Sequence, residues 1–549
     1  MPPADAWKLP HSVQPIAAIA NTLWSASNLP AFWRFKRALG DPGAQQTKLR
    51  TYLERNAGTS FGIAHKFHTI RSYEEFTRCV PTTSYDALEP WIDRIRGGEP
   101  NVLTHDPVTH LIPTSGSSGP RKLIPFTAGS QREFNAAIGP WLLDLLRGSP
   151  GLLPGPAYWS VTPVLRNNSD EPAMVPIGFD SDAAYLGGAR RRLAEAVMAV
   201  PPEVQHAHSL DAFRHETLLH LLRCPELRLI SVWHPSFLAL LLDSLPANWD
   251  TLLHAVARGS GNLSPAPRRA AQLRAATPFQ PESIWPQLKI ISCWGEGAAE
   301  AGAADLQRRF PNALLQTKGL IATEAVVTLP FSGRYPLAVT SHFFEFIDES
   351  ERVVPVEALC EGLEYEVVVT TASGLWRYRL ADRVRVTGWM GKTPTLRFLG
   401  RAGIVSDRFG EKLSEPFVAA ALAKVFGTEP PQFAMLAPHQ DDLGCRYTLY
   451  LQGLARPQWA HLLDLELRSN PHYAYCRDLG QLLPVTLFII SERGFETFAR
   501  RRGAEGVRLG DIKPTALCRS SGWSQVFRGQ TAPVGSIPEP FANLNAPPH

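Results

Sequence analysis

Apolar residues recur at three- and four-residue intervals over residues 16–24, 32–39 and 46–57, between Pro and Gly breaks, and predict helices packed on a core. Short apolar runs at 108–112 and 123–126 follow, then a helical pattern at 131–146. Strand-like runs at 158–161, 229–233, 288–293 and 313–316 alternate with helical ones at 235–242 and 299–310, the order of a doubly wound α/β sheet. Beyond residue 340 the pattern turns to short runs at 343–347, 364–370, 375–379 and 383–387, separated by Gly, Asp and Ser turns, which predicts an antiparallel meander or small barrel. Composition changes near Gly403, and 404–549 alternates helices (416–426, 458–469) with strands near 447–451 and 485–490. The expectation is a large N-terminal α/β domain with an antiparallel barrel-like portion, 1–403, and a small α+β domain, 404–549.

Length and charge narrow the class. The chain has 549 residues, 44% of them hydrophobic, enough for two or three domains, and its net charge of +4 gives no argument for nucleic acid. Arg190-Arg191-Arg192 and Arg500-Arg501-Arg502 lack the aromatic interleaving of a nucleic-acid surface and read as solvated faces. The seven cysteines include no C-x-x-C pair, and no apolar run reaches the roughly 18 residues of a membrane span. A reduced, cytoplasmic protein without a disulfide or metal framework is expected.

Candidate chemistry begins at Pro113-Thr114-Ser115-Gly116-Ser117-Ser118-Gly119-Pro120-Arg121-Lys122. Two glycines let backbone N–H groups converge, the hydroxyls add short donors and Lys122 adds charge, so the loop can cradle a polyphosphate or be a plain surface turn. It lacks Walker spacing, and a β-rich stretch follows where a Walker loop would open a helix. Further along, Trp294-Gly295-Glu296-Gly297-Ala298 and Leu320-Ile321-Ala322-Thr323-Glu324 both follow strand patterns, and parallel strands deliver such loops to one sheet edge. Glu324 is a candidate magnesium ligand. Tyr378-Arg379-Leu380-Ala381-Asp382 puts a carboxylate at a strand turn, where it can accept ribose hydroxyls or cap the turn. Gly400-Arg401 and a loop lysine, Lys513, complete the set.

In order and spacing these motifs resemble the adenylate-forming superfamily of acyl-CoA synthetases, peptide-synthetase adenylation domains and firefly luciferase. Within it the chain looks like the auxin-responsive acyl-acid amido synthetase family and its bacterial relatives. That resemblance rests on the loop ending in Lys122-Leu123-Ile124-Pro125-Phe126-Thr127, on Pro235-Ser236-Phe237, on Phe343-Phe344-Glu345-Phe346 and on Tyr-Arg-x-x-Asp at 378–382. It covers roughly residues 45–515 and implies ATP and Mg²⁺ as cofactors.

By this resemblance Ser115, Gly116, Ser117, Ser118 and Gly119, with Lys122, grip the ATP phosphates, and Gly297 and Ala298 run along adenine. Thr323 and Glu324 meet the α-phosphate and Mg²⁺, Tyr378 and Asp382 belong to the nucleotide site with Asp382 on the ribose, and Arg401 closes that site. Lys513 serves adenylation from a mobile C-terminal lid. Three positions depart from the family pattern: Leu320 replaces an aromatic that packs on adenine, Ile321 a glycine, and Ala381 the glycine before the ribose carboxylate.

The implied reaction has two steps. A small carboxylic acid attacks the α-phosphate of ATP, releasing pyrophosphate, and an amino acid amine then takes the acyl group from the adenylate with release of AMP. An acyl-CoA ligase with a thiol acceptor, or a nucleotide-binding protein without catalysis, are the alternatives. The acid would lie in a pocket built from 158–242 and 293–294, where Trp159, Phe179, Trp233 and Phe237 are candidate lining. A monomer without nucleic-acid or membrane partners is expected.

Overall fold

A computed structural model describes residues 13–114, 122–160, 174–179, 185–296, 299–401, 405–406, 408–409, 411–504 and 512–532. Its contacts divide the chain into a large unit that ends at Gly403 and also takes in Arg502–Lys513, and a small unit of Ile404–Arg501 and the residues from Pro514 onward. The segment carrying Lys513, read from sequence as part of 404–549, groups with the large unit.

The large unit opens on one 26-residue helix, Val13–Ala38, where two were expected, with Pro30 inside it. An interior proline removes a backbone hydrogen bond and costs about 3 kcal/mol. Ala17, Ala20 and Trp24 before it and Phe32 and Phe35 after it are all buried in the same core. Each large side chain buried this way contributes about 1.5–3 kcal/mol, so packing holds the two halves in one helix.

Four parallel strands, Ala157–Trp159, Leu229–Ser231, Ile290–Cys293 and Leu314–Thr317, lie side by side in chain order. Their residues alternate between two buried faces. Ala157, Leu229 and Ile290 meet Leu145 of helix Ala128–Gly148 on one side, while Ile230, Ile291 and Cys293 pack with Leu241 and Leu306 on the other. Such two-sided burial suits a parallel sheet and explains the continuous apolar runs. All four strands point the same way, so the loops after them reach one edge.

A five-stranded antiparallel sheet runs in the order Thr393–Arg401, Tyr378–Met390, Glu364–Thr370, Phe343–Ile347, Val353–Pro355. The separate strands expected at 375–379 and 383–387 are replaced by the single 13-residue strand Tyr378–Met390. Arg379 faces Val368 and Arg383 faces Glu366, so four steps on this strand match two on its neighbour. The surplus residues form a bulge, which interrupts the alternation that sequence patterns rely on.

Strand Val108–Thr114 pairs antiparallel with Lys122–Thr127, and Thr114 faces Lys122 across the open end of the loop. This hairpin is why a strand follows the glycine-rich loop. Helix Ala128–Gly148 starts immediately afterwards on a capping box between Thr127 and Ser130.

The small unit is a four-stranded mixed sheet, Phe433–Asp441, Gly444–Gln452, Leu483–Ile490 and Gly529–Thr531, packed with helices Glu415–Phe426, Gln458–Leu467 and Pro471–Asp478. Among the described residues no helix is long and apolar enough to cross a membrane.

Candidate active site

Strand pairing brings two of the expected nucleotide residues together. Asp382, on Tyr378–Met390, is the register partner of Arg401, the last residue of Thr393–Arg401. Asp382 is 4% exposed, so it sits inside the sheet edge rather than capping a solvated turn. Ala381 precedes it at φ 60°. This left-handed conformation is the one a glycine adopts freely, and an alanine holds it at a cost. The side chain of Arg401 lies outside the described set.

Lys122 and Tyr378 are adjacent as well. The Lys122 Nζ stands 3.5 Å from the Tyr378 hydroxyl and 5.6 Å from the centre of the Tyr85 ring. The Tyr85 hydroxyl in turn accepts the Leu123 N–H at 2.9 Å, which fixes the start of the strand after the phosphate loop. Ser115, Gly116, Ser117, Ser118 and Gly119 fall outside the described residues, as do Gly297 and Ala298. Their flanks are anchored. The carboxylate of Glu296 accepts the Phe398 N–H at 3.1 Å, tying the loop after Ile290–Cys293 to the strand that ends at Arg401. Burial pushes the Glu296 carboxyl above its ordinary pKa. Gly295 is required by space, because a Cβ there would lie 2.1 Å from Thr317 Cγ2.

Thr323 and Glu324 occupy the tip of a turn. Ile321 bridges Val326, and the Ala322 N–H donates to the Ala325 carbonyl at 2.9 Å. Thr323 is exposed, whereas Glu324 is 7% exposed with no hydrogen-bond or ion-pair partner among the described residues. Its carboxylate oxygens keep some solvent access at the turn tip, from which they can meet a cation. Among the described residues no three His, Cys, Asp or Glu side chains converge into a metal cage. Leu320 and Ile321 are buried in the main core, 7% and 6% exposed, so Leu320 packs inward.

Behind this turn runs a support that the sequence did not reveal. The Val326 N–H donates to His342 Nε2 at 3.3 Å, and the other ring nitrogen, Nδ1, lies 3.3 Å from Glu133 Oε2 without a hydrogen bond between them. The other Glu133 oxygen accepts the Ala372 N–H at 2.8 Å and the Tyr52 hydroxyl. Nothing in the local pattern marks Glu133 or His342; each is an ordinary polar residue until tertiary structure buries it.

Lys513 is exposed, and its Nζ stands 3.6 Å from the centre of the Trp294 ring. The Trp294 ring lies 5.5 Å from that of Trp233. His234, next to Trp233, is held uncharged, its pKa lowered to about 3 by burial and then by the Lys513 charge. The four aromatics expected to line an acyl slot disperse instead. Trp159 packs on Trp24 at 5.4 Å, Phe179 on Phe126 at 4.8 Å, and Phe237 on Phe213 at 6.2 Å in the core behind the parallel sheet. Only Trp233 of the four joins Trp294 and Lys513.

The sequence matches the GH3 family N-terminal domain over residues 34–315 and the GH3 family central domain over 335–401, and these stretches hold every motif above except Thr323-Glu324 and Lys513. It is similar to an indole-3-acetic acid-amido synthetase of Arabidopsis thaliana, with 22% identity over 80% of this chain and 82% of that one. A probable indole-3-acetic acid-amido synthetase of Oryza sativa subsp. japonica shares 26% identity over 83% and 79%. The solved structure of AtGH3.15 acyl acid amido synthetase in complex with 2,4-DB superposes with a TM-score of 0.81 at 18% identity, covering 91% of this chain and 96% of that one. With the N-terminal match alone spanning more than half of its length, the chain belongs to the GH3 family.

Proposed function

We infer that this protein is an ATP-dependent acyl acid amido synthetase: it activates a small carboxylic acid as its adenylate and transfers the acyl group to the amine of an amino acid. The observation that carries the reading is Glu324, a 7% exposed residue at a turn tip whose carboxylate keeps some solvent access and has no partner among the described residues. The similar proteins are named for amide synthesis, which favours an amine over a thiol as acceptor.

Each residue has a task that follows from its surroundings. The loop of Ser115, Gly116, Ser117, Ser118 and Gly119 holds the ATP phosphates, with Lys122 braced between Tyr85 and Tyr378 so that its charge faces them. Asp382 takes the ribose hydroxyls and Arg401 closes the same site, two jobs that their shared register allows. Gly297 and Ala298 run along the base. Magnesium, when bound by Glu324 and the phosphates, supplies charge neutralisation at the transferring phosphorus. Thr323 and Lys513 position the carboxylate nucleophile against the α-phosphate and stabilise the charge shared with the leaving pyrophosphate. Lys513 then has no task in the second step, in which the amine attacks a carbonyl already activated.

The test is acid-dependent exchange of labelled pyrophosphate into ATP, over a panel of carboxylic acids, each with and without mixed amino acids. Exchange that requires an acid, and an N-acyl amino acid that appears only when amino acids are present, is the expected result.

A further inference from the structure

Lys318 follows the last parallel strand and is only 4% exposed. Its ammonium donates to Ser231 Oγ at 2.7 Å and Ser292 Oγ at 3.3 Å, and lies 5.0 Å and 5.6 Å from the centres of the Trp141 and Trp233 rings. Ser231 ends its strand and faces Ser292, next to last on the neighbouring one; they are 7% and 1% exposed. Each hydroxyl already accepts from the lysine, so the hydrogen it carries is a donor, and neither has an acceptor among the described residues. Three buried groups therefore converge with donors to spare and no anion among the described residues. Burial drives the Lys318 pKa down to about 7. Cys293, the titratable group whose charge acts on Lys318, is no counterion, because burial pushes its thiol up to about 12.

The place of this cradle matters. Trp233 and Trp294 stand side by side; Lys513 lies against Trp294 and Lys318 against Trp233. The tryptophan pair thus separates the lysine of the reacting centre from the buried one. We propose that Lys318, Ser231 and Ser292 form a carboxylate-binding subsite behind the Trp233–Trp294 pair, and that the acid substrate is a dicarboxylic acid whose second carboxylate sits there. This rests on the adenylation reading above. A monocarboxylic acid with an apolar far end would leave the ammonium without an anion and both hydroxyls without an acceptor among the described residues, whereas a second carboxylate matches all three donors.

The experiment compares matched pairs, benzoate with terephthalate and hexanoate with adipate, in pyrophosphate exchange by the wild type, Lys318→Met and the double variant Ser231→Ala/Ser292→Ala. The double variant keeps the strand shape should the first fail to fold. The diacid of at least one pair should exceed its monoacid at least tenfold in kcat/KM, and that ratio should fall to near one in both variants, through KM for the acid rather than for ATP. A wild type that prefers the monoacids, or a diacid preference that neither variant changes, overturns the subsite. Equal losses on monoacid and diacid mean that the cradle holds the reacting carboxylate, and the dicarboxylate claim fails. Should no acid support exchange, the adenylation reading itself fails; calorimetric binding of the same four acids to the three proteins then decides the subsite by the same ratio.

Discussion

Asp382 and Arg401 face each other across an antiparallel strand pair, and the bulge beside them places Ala381 at φ 60°. An L-residue in that conformation costs roughly 1–2 kcal/mol, while glycine pays about 0.5–1 kcal/mol in unfolded-state entropy. Ala381→Gly should therefore raise stability in urea unfolding by up to about 1 kcal/mol. A loss of stability would show that the methyl group packs favourably enough to offset the strain.

The His342–Val326 hydrogen bond predicts a positioning effect at Glu324. His342→Leu removes the acceptor of the Val326 N–H, an uncompensated group costing about 1–3 kcal/mol, and frees the turn. The Mg²⁺ concentration for half-maximal pyrophosphate exchange should rise several-fold, and His342→Gln, which keeps an acceptor, should restore much of it. Equal Mg²⁺ dependence in both variants would mean that His342 only fills space.

Lys318 gives a pH signature. Its folded pKa of about 7 lies below the unfolded value near 10.4, so the folded state binds fewer protons between them. The destabilisation is full below about pH 7 and fades as pH rises toward about 10.5. Lys318→Met should accordingly be more stable than wild type at pH 6–7, and the gain should shrink as pH approaches 10. A stability difference that stays flat over that range would place the lysine in a solvated site.

Lys513 separates the two half-reactions. Lys513→Ala should depress acid-dependent exchange at least about a hundredfold, or roughly 2.7 kcal/mol, since one positioned charge at the phosphorus is lost. Supplied with synthetic acyl-adenylate and amino acid, the same variant should form amide at near the wild-type rate. Equal damage to both steps would make Lys513 part of a single fixed site.

Much of this was legible in sequence, and the misses share a cause. Strands 290–293 and 314–317 and the hairpin around the phosphate loop follow from uninterrupted apolar runs. Pro30 and the bulge at Ala381 are local breaks that packing overrides, so one helix and one strand were each read as two. The motif residues Lys122, Glu324 and Asp382 could be named from order and spacing because they cluster in short signatures. Lys318, Glu133 and His342 could not, since a single lysine, glutamate or histidine acquires its chemistry only from burial and from partners far away in the chain.

The central claim is that an acid is activated at the expense of ATP and passed to an amine, and Glu324 offers its most direct test. In wild type, acid-dependent pyrophosphate exchange followed by mass spectrometry should yield AMP and an N-acyl amino acid, and Glu324→Ala should lower the exchange by about 2–4 kcal/mol in transition-state terms while the fold persists. Near-normal exchange in Glu324→Ala at saturating ATP and Mg²⁺, or a product that forms only with coenzyme A and never with amino acids, would contradict the account.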